Sequence, residues 1–218
     1  MKIIEVKDYL QMSKKAAEYI IEKVSANPNI KLGLATGGTP IGTYKNLIVD
    51  HQQNGTSYEN VTVFNLDEYI GLSSENEKSY RYYMNDLLFN HIDINKANTH
   101  IPHGDVEDVQ KECTIYEQLM AKHGGIDLQI LGIGANCHIG FNEPGTSFNS
   151  KTHIVNLAPS TIEANARYFD EVKDVPTKAI TMGISTIMKS KEILLLISGE
   201  TKKEALSNLL SGHVDERF

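Results

Sequence analysis

Short apolar runs alternate with stretches of helical spacing along most of this chain, and that alternation constrains its fold more than any other feature. Residues 30–35 (Ile-Lys-Leu-Gly-Leu-Ala), 60–64 (Asn-Val-Thr-Val-Phe), 126–131 (Ile-Asp-Leu-Gln-Ile-Leu) and 193–197 (Ile-Leu-Leu-Leu-Ile) are of strand length and mostly apolar. Residues 2–6 read as a further, first strand, and 153–155 as a polar extended stretch. Between them, Leu10, Ala17, Ile20, Ile21 and Val24 fall on one helical face, as do Tyr44, Leu47 and Ile48. The same holds for Tyr80, Tyr83, Met84, Leu87, Leu88 and His91, and for Val109, Cys113, Tyr116 and Met120. Helices are also expected near 160–169 and over 199–210, with Gly124-Gly125 ending the one before the 126–131 strand.

Strands alternating with amphipathic helices build βαβ units and a mostly parallel sheet. The expected architecture is an α/β single-domain three-layer sandwich with Rossmann-like topology over residues 1–218, without internal repeat or linker. Right-handed crossovers would line up the loops at 36–40, 65–69 and 132–145 along one edge, where such sheets bind ligands.

Several partner classes are disfavoured. A formal net charge of −7 argues against a nucleic-acid backbone binder, which needs a basic face. No run approaches the ~18 apolar residues of a membrane span, and the N-terminus has no signal-peptide core. Cys113 and Cys137 stand at no metal-ligand spacing, so reduced thiols and a cytoplasmic setting are expected.

Three loops carry residues suited to chemistry. Thr36-Gly37-Gly38-Thr39-Pro40 joins a strand end to a helix start, with Thr39 placed for the N-cap and Pro40 for the first helical position. Free N–H groups and the positive helix end suit a phosphate there, although a plain tight βα turn explains the same residues. Asp67 and Glu68 close a strand; being adjacent, they point to opposite faces, and at most one aims into a cleft. A desolvated carboxylate at such a tip can act as a base, and a turn Asp is the plainer alternative. The loop Gly132-Ile133-Gly134-Ala135-Asn136-Cys137-His138-Ile139-Gly140-Phe141-Asn142-Glu143-Pro144-Gly145 holds His138 and Glu143 five residues apart. A carboxylate bonded to one imidazole nitrogen raises the basicity of the other, while loop-stapling hydrogen bonds are the alternative. The loop imitates the start of a dinucleotide fingerprint but lacks its third glycine, and no second His or Cys completes a zinc set. Among cations, Arg167 and Lys202 stand nearest the expected strand tips, and either could clamp a phosphate or simply be a solvated helix charge.

Taken together, residues 34–40, 65–69, 132–145 and Ala164-Asn165-Ala166-Arg167-Tyr168-Phe169 resemble, in order, the motifs of the glucosamine-6-phosphate deaminase family. The resemblance runs over essentially the whole chain, and the His-Ile-Gly-Phe-Asn-Glu-Pro element at 138–144 is its most specific part. It implies conversion of glucosamine 6-phosphate and water to fructose 6-phosphate and ammonia. His138, oriented by Glu143 and Asn136, would open the pyranose ring. Asp67 would take the C2 proton. Gly37, Gly38, Thr39, Arg167 and Lys202 would hold the phosphate. No cofactor or metal is implied, because the open-chain carbonyl is itself the electron sink. A cytoplasmic monomer or small homo-oligomer acting on a sugar phosphate follows, with neither nucleic acid nor membrane as partner.

The chain departs from the family pattern at four places. Asn136 stands where some members have aspartate, so it would orient rather than relay a proton. Cys137 replaces a small residue, most often glycine, and is strained if the position needs positive φ. His153 and Val155 stand where allosteric members carry basic residues, which predicts simple saturation kinetics. The sequence ends at Phe218, so the domain is expected to lack the family's C-terminal strand and tail. Two alternatives share the fold: a non-catalytic sugar-phosphate sensor, and a 6-phosphogluconolactonase-like hydrolase. Asp67, His138 and Glu143 weigh against the first. The Phe-Asn-Glu-Pro extension, absent from lactonases, weighs against the second.

Overall fold

A computed structural model of the chain describes residues 1–166 and 169–217. In chain order the elements are α1 (Tyr9–Ala26), β1 (Lys31–Leu34), α2 (Ile41–Asn54), β2 (Thr62–Asn65), β3 (Asp67–Tyr69), α3 (Tyr80–Met84), β4 (Thr99–His100) and α4 (Val109–Lys122). Then follow β5 (Leu128–Gly132), β6 (His153–Asn156), α5 (Pro159–Asn165), β7 (Lys178–Thr181), α6 (Ile184–Ile187), β8 (Glu192–Leu196) and α7 (Lys203–Leu210).

Five strands form one sheet in the order β4-β2-β1-β5-β8, and every pair in it is parallel. The order reverses between β1 and β5, and the loops leaving their carboxyl ends diverge there. That crevice is the ligand site of doubly wound sheets. Side chains of neighbouring strand residues go to opposite faces, as the pleat demands. Val63 joins the core under α1 and α2 with Ile20, Leu34 and Leu47, whereas Phe64 joins Tyr116, Met120 and Leu131 on the other face. Two cores on two faces make the three layers.

A second sheet sits beside the first. After β2 the chain does not simply turn away: Leu66 bridges directly into β3, which pairs antiparallel with β7, itself antiparallel to β6. Asp67 therefore opens a strand of the second sheet rather than ending one of the first. β7 and α6 have no clear sequence signal, because each is four residues long and takes its order from its neighbours.

Other expectations are corrected. Residues 2–6 form no strand and pair with no described strand; Ile3 and Ile4 are 59% and 57% exposed. An apolar run becomes a strand only where an edge supplies hydrogen-bond partners, and the edges β4 and β8 do not reach it. Thr39 is not the N-cap of α2. Pro40 takes that place, with φ −80° and its carbonyl accepting Tyr44 N at 2.9 Å. The helix over 80–89 runs as α3 into one π turn at Asn85–Phe89. Cys113 and Cys137 are free thiols. Among the described residues, no helix is long and apolar enough to cross a membrane.

Candidate active site

The two carboxylates at the sheet junction diverge as alternation requires. Glu68, 2% exposed, accepts hydrogen bonds at 2.9 Å from the backbone N–H groups of Tyr69, Tyr80 and Arg81, and so anchors the start of α3. Asp67, 5% exposed, pairs in register with Thr181 and points the other way. A Cβ built on Gly140 would lie 3.3 Å from Asp67 Oδ2 and 3.0 Å from Thr181 Oγ1. The Gly140 backbone thus lies over the Asp67 carboxyl. Burial, and secondarily the charge of Glu68, push Asp67 up to about 8. Burial also raises Glu68, to about 7, against the pull of its three N–H donors. Those donors make Glu68 the more readily ionised of the two.

The loop after β5 is drawn tight around His138. Gly134 N donates to His138 O at 2.8 Å, and Cys137 N to Gly134 O at 3.1 Å. A Cβ on Gly134 would sit 2.3 Å from His138 Nδ1, so only glycine fits. The tight curve forces Cys137 to φ +72°, the one non-glycine among the described residues with positive φ. Its thiol receives Asn208 Nδ2 at 3.8 Å.

The expected direct pairing of His138 with Glu143 is replaced by a bridge. His138 Nδ1 lies 3.8 Å from Glu143 Oε2, beyond hydrogen-bond reach, but 2.6 Å from Asn136 Oδ1. Asn136 Nδ2 in turn donates to Glu143 Oε2 at 2.6 Å, and Thr161 Oγ1 donates to Glu143 Oε1 at 2.6 Å. Desolvation lowers the pKa of His138, Glu143 raises it, and the Lys202 charge lowers it further. The imidazole is therefore neutral near pH 7, and Lys202 stands close enough to act on it.

The turn after β1 closes the other side of the crevice. Gly37 adopts φ +87°, and its carbonyl accepts Tyr83 Oη at 2.6 Å. Tyr9 Oη donates to Gly38 O at 3.2 Å and accepts from Gly42 N at 2.9 Å. A Cβ on Gly132 would lie 3.9 Å from Thr39 Oγ1, so the ends of β1 and β5 are neighbours. Beside this turn a cleft of about 360 Å³ is lined by Gly37, Tyr69, Tyr80, Tyr83, Asn165 and Phe169. Tyr80, which lines this cleft, stacks on Phe141 at 6.1 Å and 10°.

Of the sequence candidates, Asp67, Asn136, His138, Glu143, Gly37, Gly38, Thr39 and Lys202 gather around the β1–β5 crevice; Arg167 lies outside the described residues. Sequence reasoning passed over Tyr80, Thr161 and Thr181. Tyr80 was absorbed into a helical face, and Thr161 and Thr181 act across the fold, with no local signal. Among the described residues no group of three or more His, Cys, Asp or Glu side chains could hold a metal ion.

Comparison with known proteins bears on the same residues. A family model described as glucosamine-6-phosphate isomerases/6-phosphogluconolactonase matches residues 7–218. The chain is 61% identical over 209 residues to a glucosamine-6-phosphate deaminase of Geobacillus sp. (strain WCH70), covering 96% of this chain and 83% of that one. It is 52% identical over 218 residues to glucosamine-6-phosphate deaminase 1 of Bacillus subtilis (strain 168), covering 100% and 90%. The solved structure of a monomeric glucosamine-6-phosphate deaminase superposes with a TM-score of 0.98 at 52% identity, covering 100% of this chain and 90% of that one. A 6-phosphogluconolactonase from Thermotoga maritima superposes with a TM-score of 0.73 at 21% identity, over 95% and 88%, and shares the fold.

Proposed function

Because the chain belongs to the glucosamine-6-phosphate isomerase/6-phosphogluconolactonase family, we infer that it is an enzyme that deaminates and isomerises glucosamine 6-phosphate, giving fructose 6-phosphate and ammonia. The observation that carries this is the single loop that ties His138, Asn136 and Glu143 together and lays Gly140 against the buried Asp67. A ring-opening device and an enolising base then face one crevice.

Neutral His138 moves the anomeric proton from O1 to the ring O5, which opens the pyranose to the aldehyde. The C2 hydrogen is now α to a carbonyl. Asp67, poised by burial near neutral pH, removes it and leaves an enolamine. Return of a proton at C1 gives the C2 imine, and water adds there to expel ammonia. The C1 carbonyl takes up the electrons at enolisation, and the C2 imine takes them up when water adds. The N–H groups of the Gly37–Gly38–Thr39 turn, with Lys202 and Arg167, hold the phosphate and align C2 over Asp67. Residues 1–218 work as one domain, in the cytoplasm where phosphorylated sugars are kept, as a monomer or small homo-oligomer. The 52% identity to a monomeric deaminase supports the first of these assemblies.

Incubation with glucosamine 6-phosphate, following ammonia and fructose 6-phosphate together, tests the reaction. Equal release of both is expected. Binding without turnover would replace the enzyme by a sensor. In deuterated water Asp67→Asn should abolish exchange of the C2 hydrogen; exchange that persists would move the base elsewhere.

A further inference from the structure

Helix α5 reaches the acid–base end of the catalytic loop through the Thr161 hydroxyl. Thr161 is 6% exposed, and its Oγ1 donates to Glu143 Oε1 at 2.6 Å. From there Glu143 Oε2, Asn136 and His138 Nδ1 continue a chain of three hydrogen bonds, each 2.6 Å. The chemistry of the groups sets its direction. An ionised carboxylate only accepts, so Asn136 must offer Glu143 its NH2 and turn its oxygen to the histidine. A carbonyl oxygen also only accepts, so His138 must carry its proton on Nδ1. That leaves the Nε2 lone pair for the sugar hydroxyl.

Glu143 is held at one oxygen by a side chain of its own loop and at the other by α5. The next residue of that helix, Ile162, packs with Tyr69, Phe141, Leu157 and Ala179 against the second sheet. The apolar contact seats the helix, and the neighbouring hydroxyl transmits the seating to the carboxylate. With the donor gone, Glu143 keeps, among the described residues, the Asn136 amide as its hydrogen-bond donor and can rotate toward solvent. The amide oxygen then keeps only a long contact of 3.4 Å from His138 N and loses the carboxylate that fixed its NH2 side.

We propose that Thr161 is a positioning residue: its hydroxyl ties the Glu143–Asn136–His138 chain to the docking of α5 and thereby selects the Nδ1–H form of His138. The proposal rests on the deaminase reading for its effect on rate, but its structural half can be measured without substrate.

The test compares Thr161→Val, which keeps the shape and removes the donor, with Thr161→Ser, which keeps the donor. Nitrogen-15 NMR of the imidazoles distinguishes the two neutral tautomers in the free protein. Wild type and Thr161→Ser should show His138 protonated at Nδ1; Thr161→Val should show a mixture. With glucosamine 6-phosphate, Thr161→Val should lose roughly tenfold in kcat with KM within about twofold, and serine should restore it. A wild-type tautomer pattern in Thr161→Val, or serine behaving as valine, overturns the proposal. Wild type that shows the Nδ1–H form yet releases no ammonia overturns the deaminase reading, while the NMR comparison still decides the role of Thr161.

Discussion

Gly140 lies directly over Asp67: a Cβ added to the glycine would stand 3.3 Å from the carboxylate Oδ2. The contact joins the loop that carries the histidine chain to the strand that carries Asp67, and a side chain there would crowd both the carboxylate and Thr181 Oγ1. The glycine also holds φ +59°, which an L side chain adopts at a cost of about 1 kcal/mol. Gly140→Ala is therefore expected to lower kcat at least tenfold, with only a few degrees lost in Tm. Full activity would show that the loop can lift off Asp67 without consequence.

Burial holds the Asp67 proton up to about 8, and Glu68 beside it up to about 7. The base must be ionised to take the C2 proton. On the acid side kcat/KM should then rise about tenfold per pH unit and level off near pH 8, a limb that belongs to the pair rather than to one residue. A profile already flat at pH 6 would remove Asp67 from the role of titrating base in the free enzyme.

The same shift has a stability consequence of opposite sense. Asp67 titrates near 3.8 when unfolded and about 8 when folded, so between these values the native state holds a proton that the unfolded chain has released. Stability from this group is complete below pH 3.8 and is lost as pH rises through about 8. Asp67→Asn carries no such charge. Its Tm advantage over wild type should grow from pH 5 to pH 8.5 and reach at least about 3 °C, on a scale of ~2–4 °C per kcal/mol for this chain length. An advantage independent of pH would mean that the carboxyl is not held protonated.

Cys137 at φ +72° sits where glycine is conformationally at ease. Cys137→Gly relieves the strain and adds unfolded-state freedom, leaving a net gain of about 0.5–1 kcal/mol. A rise of about 1–3 °C in Tm with kcat preserved is the expected result by calorimetry and ammonia assay. A fall in Tm would show that the contact between Asn208 and the thiol outweighs the strain.

His153 and Val155 supply β6 with one imidazole and one apolar side chain, and His153 Nδ1 is occupied by Lys151 O at 2.7 Å. No basic pair stands at these two positions to hold an effector phosphate. Rate against glucosamine 6-phosphate should be hyperbolic. A sigmoidal curve straightened by N-acetylglucosamine 6-phosphate would place an effector site that these residues do not provide.

Much of the site was legible because its parts are short in sequence. Asp67, the Gly37–Thr39 turn and the 134–143 loop each follow an apolar strand, and glycine clusters mark where backbone must bend or approach closely. Alternation predicted that Asp67 and Glu68 would part company, and they do, one toward Gly140 and one onto the N–H groups of α3. The strained position of Cys137 was also foreseeable from the residue it replaces. Less legible were the ends of elements. Pro40 rather than Thr39 caps α2, and residues 2–6 pair with no described strand, because each depends on which partner is near rather than on composition.

The sequence by itself determined a mostly parallel sheet through β1, β2, β5 and β8 and the loops at its crevice, since periodicity and glycine placement are local properties of the chain. Only the tertiary structure decided three relationships. Asp67 begins a second, antiparallel sheet opposite Thr181. Asn136 stands between His138 and Glu143, and Thr161 closes the far side of that carboxylate from α5. Each depends on distances of a few ångströms between segments remote in sequence or folded back on themselves. Hydrogen-bond reach and burial decide such contacts, and neither is written in the spacing of residues along a chain.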